Sequence, residues 1–359
     1  MSWYTRTKIS ITDTTNTASR VMKEYIIAAI ISLLAATGLA SCGSTASNGD
    51  VSREKQDEKR LKTPAKFNRD SAYSYVRRQV AFGPRVSGTE GNRLCRQYIV
   101  NELNRHGAEN VNVQTGEVKA FNGDRLPIGN IMASYNPGIK DRILLAAHYD
   151  TRPWSDSDQN EDNRLKPVLG ANDGGSGVAV MLEIARQLNQ TEAPIGVDLL
   201  FVDAEDYGQS SGFSTHDESW CLGTQYWTSH MPYAKDSLPR YAIVFDMVGG
   251  IDAKFHREYF SDRHARKIVD KVWSVAERSG YQNRFVNKNG GSVVDDHLFL
   301  NDAGIPAIDI IESKNDATGT FPPTWHTVND NMDNIDPASL EAAGQTVLNL
   351  IYNEIRCIE

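Results

Sequence analysis

Arg142-Ile-Leu-Leu-Ala-Ala-His148, followed at once by Tyr149-Asp150, is the stretch on which the reading of the fold turns. A continuous apolar run between polar loops, without the alternation of a half-buried strand, describes a strand covered on both faces. Val197-Asp-Leu-Leu-Phe-Val-Asp203, Tyr241-Ala-Ile-Val-Phe-Asp246 and Pro306-Ala-Ile-Asp-Ile-Ile311 read as further strands. Asn110–Glu117 alternates as an edge strand would, and Asn130–Tyr135 is another short strand. Between them, Ser71–Ala81, Thr89–His106, Gly177–Leu188, Asp262–Gly280 and Pro337–Arg356 read as helices, the second stopped by Gly107. Strands alternating with helices predict an α/β protein of three layers, α/β/α, around a central mixed, mostly parallel sheet.

Outside that pattern lie the first 66 residues. Lys23 precedes an apolar stretch from Tyr25 to Leu39, too short for a comfortable membrane span of about 20 residues. It ends in Leu39-Ala-Ser-Cys42, so residues 1–41 read as a secretory signal, with Met22 a plausible true start. A Cys after Leu-Ala-Ser resembles the bacterial lipobox. That implies lipidation of Cys42, membrane attachment and a lipoprotein of the bacterial envelope facing the periplasm. Residues 42–66 are polar, lack periodic apolar positions and read as a tether. No repeat or composition break follows, so 67–359 reads as one catalytic domain, expected to be monomeric. With 38 basic and 46 acidic residues the chain carries −8 charges, which argues against a nucleic-acid partner. Its four cysteines, Cys42, Cys95, Cys221 and Cys357, form no CxxC and give no zinc finger or disulfide framework.

In an open α/β sheet, ligands bind beyond the carboxyl ends of the strands. Here those ends deliver His148-Tyr-Asp150, Glu205-Asp206 and Asp246. Asn172-Asp173-Gly-Gly-Ser-Gly177 precedes a helix, and Trp325-His326-Thr327 follows the last strand. A single strand-end Asp is usually a helix cap, and a single His a satisfied hydrogen bonder. Five such segments in order are harder to dismiss. Carboxylates buried together need a cation, and imidazole with carboxylate oxygen suits zinc.

These segments resemble the zinc aminopeptidase-like (M28-type) family, zinc-exopeptidase-like in fold (phosphorylase/hydrolase-like). The resemblance runs over most of residues 68–359, including Gly83-Pro-Arg-Val-Ser-Gly88. Within it the chain is most similar to the glutaminyl-peptide cyclotransferases (glutaminyl cyclases). The similarity rests on Asp295-Asp296-His297 before Gly304-Ile-Pro, on Trp325 directly before His326, and on Trp220-Cys-Leu-Gly-Thr-Gln-Tyr-Trp227. It implies one zinc per chain held by Asp173, Asp206 and His326, the middle ligand being Asp where the family has Glu. It implies peptides or proteins with N-terminal Gln as substrates, Glu205 as proton shuttle, and Asp246 and Asp295 as its acidic neighbours holding the amine. Trp325 would wall the pocket, with Trp220 or Trp227 beside it. Asp309 stands where animal relatives have His, so no role transfers to it. Ala147 and Val178 replace a cysteine pair, so no disulfide is expected there.

The rival is a two-zinc aminopeptidase in which His148 and Asp246 hold a second ion bridged by Asp173; alternatively His148 is structural. A binding module with a dead site would lack Glu205, which is present. Gly208-Gln-Ser-Ser-Gly212 matches GxSxG but lacks the helix that a nucleophile elbow needs after it. Asp156-Ser-Asp-Gln-Asn-Glu-Asp162 begins like a calcium loop but has Glu161 and Pro167 where Gly and Glu belong, so it reads as a solvated loop.

Overall fold

The run from Arg142 is the third strand of a six-stranded sheet in the computed structural model, which describes residues 65–210 and 217–355. The expected signal peptide, Cys42 and the tether up to residue 64 lie outside the described residues. Phe67 is buried and donates its N–H to Gln345, tying this end of the fold to its last helix.

Helices α1 (Arg69–Val80) and α2 (Glu90–Arg105) come first, capped by the Asn68 and Thr89 side chains. Strands β1 (Glu109–Lys119), β2 (Arg125–Tyr135) and β3 (Arg142–His148) follow. Helix α3 (Gly175–Gln190), strand β4 (Gly196–Val202) and helix α4 (Leu222–Ser229) come next. Then come β5 (Ala242–Asp246), β6 (Phe255–Arg257), α5 (Tyr259–Arg278) and β7 (Phe285–Asn289). Helix α6 (Asp296–Asp302), strand β8 (Ala307–Ile311) and helix α7 (Pro337–Tyr352) close the fold.

The sheet order is β1-β2-β4-β3-β5-β8. The β1–β2 and β2–β4 pairs are antiparallel, while β4–β3, β3–β5 and β5–β8 are parallel. The expected mixed, mostly parallel three-layer sheet is therefore present. In β3, Ile143, Leu145 and Ala147 enter one apolar layer and Leu144 and Ala146 the other; β4 and β5 divide in the same way. Both faces of each strand are dry, which is why these segments show no polar alternation.

Several elements differ from the sequence reading. Helices α4 and α6 were not predicted, being too short for helical periodicity to register. The parallel pair β6–β7 was not predicted either. The closing helix stops at Tyr352, short of the expected Arg356, which lies outside the described residues. Trp227 is fully buried against Tyr233 in the second apolar layer, so it is a core residue and not a pocket wall. Cys95 and Cys221 are free, buried thiols.

Candidate active site

Beyond the carboxyl ends of β3, β4 and β5, buried carboxylates clamp the loops that carry the reactive groups. Asp150 accepts the backbone N–H groups of Glu205 at 3.0 Å and of Asp206 at 3.1 Å. Asp330 does the same for Asn172 at 2.7 Å and Asp173 at 3.0 Å. Asp203 receives the Asn92 amide, the Gly129 N–H and the Tyr149 hydroxyl. The backbone is left-handed at Ala204 (φ 53°), Cys221 (φ 54°), Met247 (φ 46°) and His326 (φ 55°), all beside or within the site. Non-glycine residues hold such φ values at a cost that the surrounding packing must offset, and these turns set the direction of Glu205, Asp206 and His326.

The predicted site residues meet. His326 Nε2 lies 3.2 Å from Asp206 Oδ1 and 3.6 Å from Asp173 Oδ2. His148 Nε2 lies 3.1 Å from Asp173 Oδ1 and 3.3 Å from Asp246 Oδ1. Its Nδ1 faces Asp150 at 3.5 Å and Glu205 at 3.8 Å. Glu205 Oε1 accepts from the Cys221 thiol at 3.3 Å. Asp246 and Asp295 join Glu205 in the wall of one cavity of about 210 Å³. Trp220, Trp325, Phe321 and Val293 form its apolar side. The Trp325 ring stacks on His326 at 3.7 Å between centroids, and the Trp220 ring lies nearly parallel to His326 at 6.0 Å. A cavity of this size is smaller than a drug-sized pocket of roughly 300–1,000 Å³ and suits a single side chain.

The donor set fits a zinc ion. Asp173, Asp206 and His326 are buried, and each offers an atom within 4.8 Å of the others. Asp206 Oδ2 has no hydrogen-bond partner among the described residues. Behind His326, Asp156 faces Nδ1 at 3.5 Å and is clasped by two 2.7 Å bonds from Arg152. A carboxylate behind a ligating imidazole is the usual support of a metal site. Arg152, wholly buried, also reaches the Asp206 carbonyl and its carboxylate, with Trp220 and Trp154 over its guanidinium. The stretch from Asp156 is thus no solvated loop at its first residue, because Asp156 supports His326. His148, Asp173 and Asp246 form a second group of potential ligands sharing Asp173.

Electrostatics follow from burial. Burial pushes Glu205 well above the usual carboxylate range; His148 opposes this, and Asp206, Asp295 and Asp296 add to it. Asp246 rises to about 7 through burial, although the His148 contact pulls it down. Burial alone would depress His148, but Asp150, Asp173, Asp246 and Glu205 hold it well above its ordinary value. Four acids surround its ring.

Sequence reasoning missed Asp330, Asp156 and Arg152, whose roles depend on contacts across 158, 170 and 54 residues respectively. Asp150 was visible in His148-Tyr-Asp150, but its clamp on Glu205 and Asp206 was not. Strand β4 ends at Val202, short of the GxSxG segment, and Gly208 instead seats Trp220: a Cβ there would lie 2.0 Å from the indole.

Residues 130–351 match peptidase family M28. The chain belongs to that family. Its fold is similar to a glutaminyl cyclase of Bacteroides thetaiotaomicron bound to N-acetylhistamine, at 47% identity and TM-score 0.78, covering 82% of this chain and 100% of that one. A Zn-dependent exopeptidase of Parabacteroides distasonis is similar at 45% identity and TM-score 0.77, over 82% of this chain and 100% of that one. A glutaminyl-peptide cyclotransferase of Bos taurus is 26% identical over 72% of this M28 chain and 74% of its own length.

Proposed function

We infer that this M28 protein is a glutaminyl-peptide cyclotransferase, converting N-terminal glutamine of peptides or proteins to pyroglutamate with release of ammonia. The carrying observation is the small tryptophan-walled cavity that places Glu205, Asp246 and Asp295 around one point beside Asp173, Asp206 and His326. The similarity to solved bacterial glutaminyl cyclases supports it.

Asp173, Asp206 and His326 would hold one zinc per chain. When bound, zinc supplies a Lewis acid for the side-chain amide oxygen. The rest falls to the chain's own residues. Trp220 and Trp325 flank the glutamine side chain and exclude water from it. Asp295 and Asp246 hold the α-amine against the amide carbon. The amine nitrogen bonds to that carbon, the carbon–nitrogen bond to the amide NH2 breaks, and ammonia leaves. Glu205 takes the proton from the attacking amine and returns it to the leaving nitrogen. Its raised affinity for protons suits a group that must both accept and release one.

We assign His148 a structural role beside one metal. In that reading its Nε2, shared between Asp173 and Asp246, hydrogen-bonds the two carboxylates that with it would otherwise ligate a second ion. Purified protein of known zinc content, assayed for ammonia from Gln-peptides and for amino acid release from Leu-peptides, tests the reading. Ammonia release with about one zinc per chain is expected. Hydrolysis of Leu-peptides without cyclisation, with two ions per chain, would sink it. We propose further that lipidation of Cys42 anchors the enzyme to the bacterial envelope on the periplasmic side. Radiolabelled palmitate should label the wild type and not Cys42→Ala.

A further inference from the structure

Behind the cavity wall lies a second polar group that the mechanism does not use. Asp309, on β8, is wholly buried, and neither of its oxygens has a hydrogen-bond partner among the described residues. Atoms of Asp309, Asp295 and His297 lie within 4.8 Å of one another. Asp295 Oδ1 accepts the Asp296 N–H at 2.5 Å, while its Oδ2 is buried without a partner. Two carboxylates buried within 4.8 Å of one another repel, and a proton on one of them relieves the pair.

The surroundings say where that proton sits. Asp295 lines the cavity and receives a backbone N–H on one oxygen, which leaves its buried Oδ2 as the acceptor of the pair. Asp309 is shut away from solvent and receives no side-chain donor. His297 does not supply one: its Nδ1 is 3.9 Å from Asp309 Oδ2, beyond hydrogen-bond reach. Its Nε2 is committed to Glu258 at 3.1 Å. Glu258 already accepts the N–H groups of Phe260, Ser261 and Val293, which, together with His297, keep it an anion. It has no proton to pass on.

We propose that Asp309 is a neutral carboxylic acid whose O–H donates to Asp295 Oδ2, making it a positioning residue that fixes the Asp295 carboxylate toward the substrate's amine. The arrangement explains why an acid can occupy this place on β8. An O–H does there what any neutral donor of the same size would do. Burial agrees, pushing Asp309 well above the usual carboxylate range, with Asp295 and Asp246 adding to the push. The functional half of this inference rests on the cyclotransferase reading; the acid pair itself does not.

The test uses two variants of the zinc-loaded full chain. Asp309→Asn replaces the O–H with an amide N–H that can donate to the same oxygen. It should keep the melting temperature and zinc content of the wild type and hold kcat/KM within a few-fold. Asp309→Leu has similar volume and no donor. It should lower kcat/KM roughly ten- to a hundredfold, the scale of a lost hydrogen bond to a charged group. An infrared difference spectrum, wild type minus Asp309→Asn, should show the carbonyl stretch of a protonated carboxylic acid. That readout needs no substrate, so it still decides the acid pair if the wild type proves not to cyclise glutamine. Three results overturn the proposal: Asp309→Leu with full activity on an active wild type, Asp309→Asn losing as much as Asp309→Leu at unchanged melting temperature, or no such infrared band. A second metal ion lost in Asp309→Asn would equally overturn it, by showing that a cation and not a proton joins the pair.

Discussion

Glu205 and His148 sit within 3.8 Å of one another, yet their removal should have different consequences. In the proposed assignment Glu205 does not hold the metal, so Glu205→Gln should keep its zinc and lose turnover by about 10²–10⁴-fold, the usual worth of acid–base help. A variant cyclising Gln-peptides at near the wild-type rate would remove Glu205 from the mechanism. His148→Ala should also keep its zinc but lose part of its activity and stability, because Asp173, Asp246 and Glu205 would lose the imidazole they share. Metal loss in step with activity would mean that His148 is a ligand and that two ions are held. The residues proposed to react were legible in the sequence because each stands at a strand end or in a short motif. Their supports were not. Asp156 belongs to a stretch that looked like an open loop until Arg152 and His326 were placed around it.

At the scale of elements, the start of α3 shows how tightly the backbone is held around the metal ligands. Gly174 has φ 77°, and a Cβ there would lie 2.7 Å from the Asp150 carbonyl oxygen and 3.0 Å from the His148 ring. Gly174→Ala should therefore move the Asp173 loop, reducing zinc affinity and lowering the melting temperature. Zinc titration with a competing chelator would show an unchanged affinity if the loop tolerates the methyl. Asp330→Ala tests the same loop from the other side, by stripping two backbone N–H groups of their acceptor. It should weaken zinc binding without touching a ligand. The long strands and helices were legible because the two-sided burial of β3, β4 and β5 leaves a continuous apolar run. Helices α4 and α6 were not: at eight and seven residues they span about two turns, too few for a period to repeat. Their places are fixed by packing on the sheet face that holds Trp227 and Leu300.

The whole molecule concentrates buried acid, and that makes its stability without metal depend on pH in a definite direction. Burial is the largest cause in each case and lifts Asp203 to about 6, Asp246, Asp330 and Glu312 to about 7, and Asp296 to about 8. In the unfolded chain these groups release their protons near 4. Between the two values the folded state binds more protons than the unfolded one, so stability falls as pH rises. The contribution is fully present below the unfolded value and is lost as pH climbs through about 6 to 8. His148, raised well above its ordinary value, adds a loss of the same sign at higher pH. Asp156 and Glu258 act oppositely, since His326 with Arg152 and His297 respectively hold them low against burial; their contribution disappears only in acid. Chelator-treated protein should therefore melt highest at mildly acidic pH and progressively lower toward about pH 8. Zinc would need a neutral His326, whose acidic neighbours hold its proton above the ordinary range, so the rise in melting temperature on adding zinc should grow as pH increases. Calorimetry of both forms across that range checks this. A metal-free melting temperature that is flat or rises with pH would mean the buried acids are already ionised and balanced by contacts other than those described.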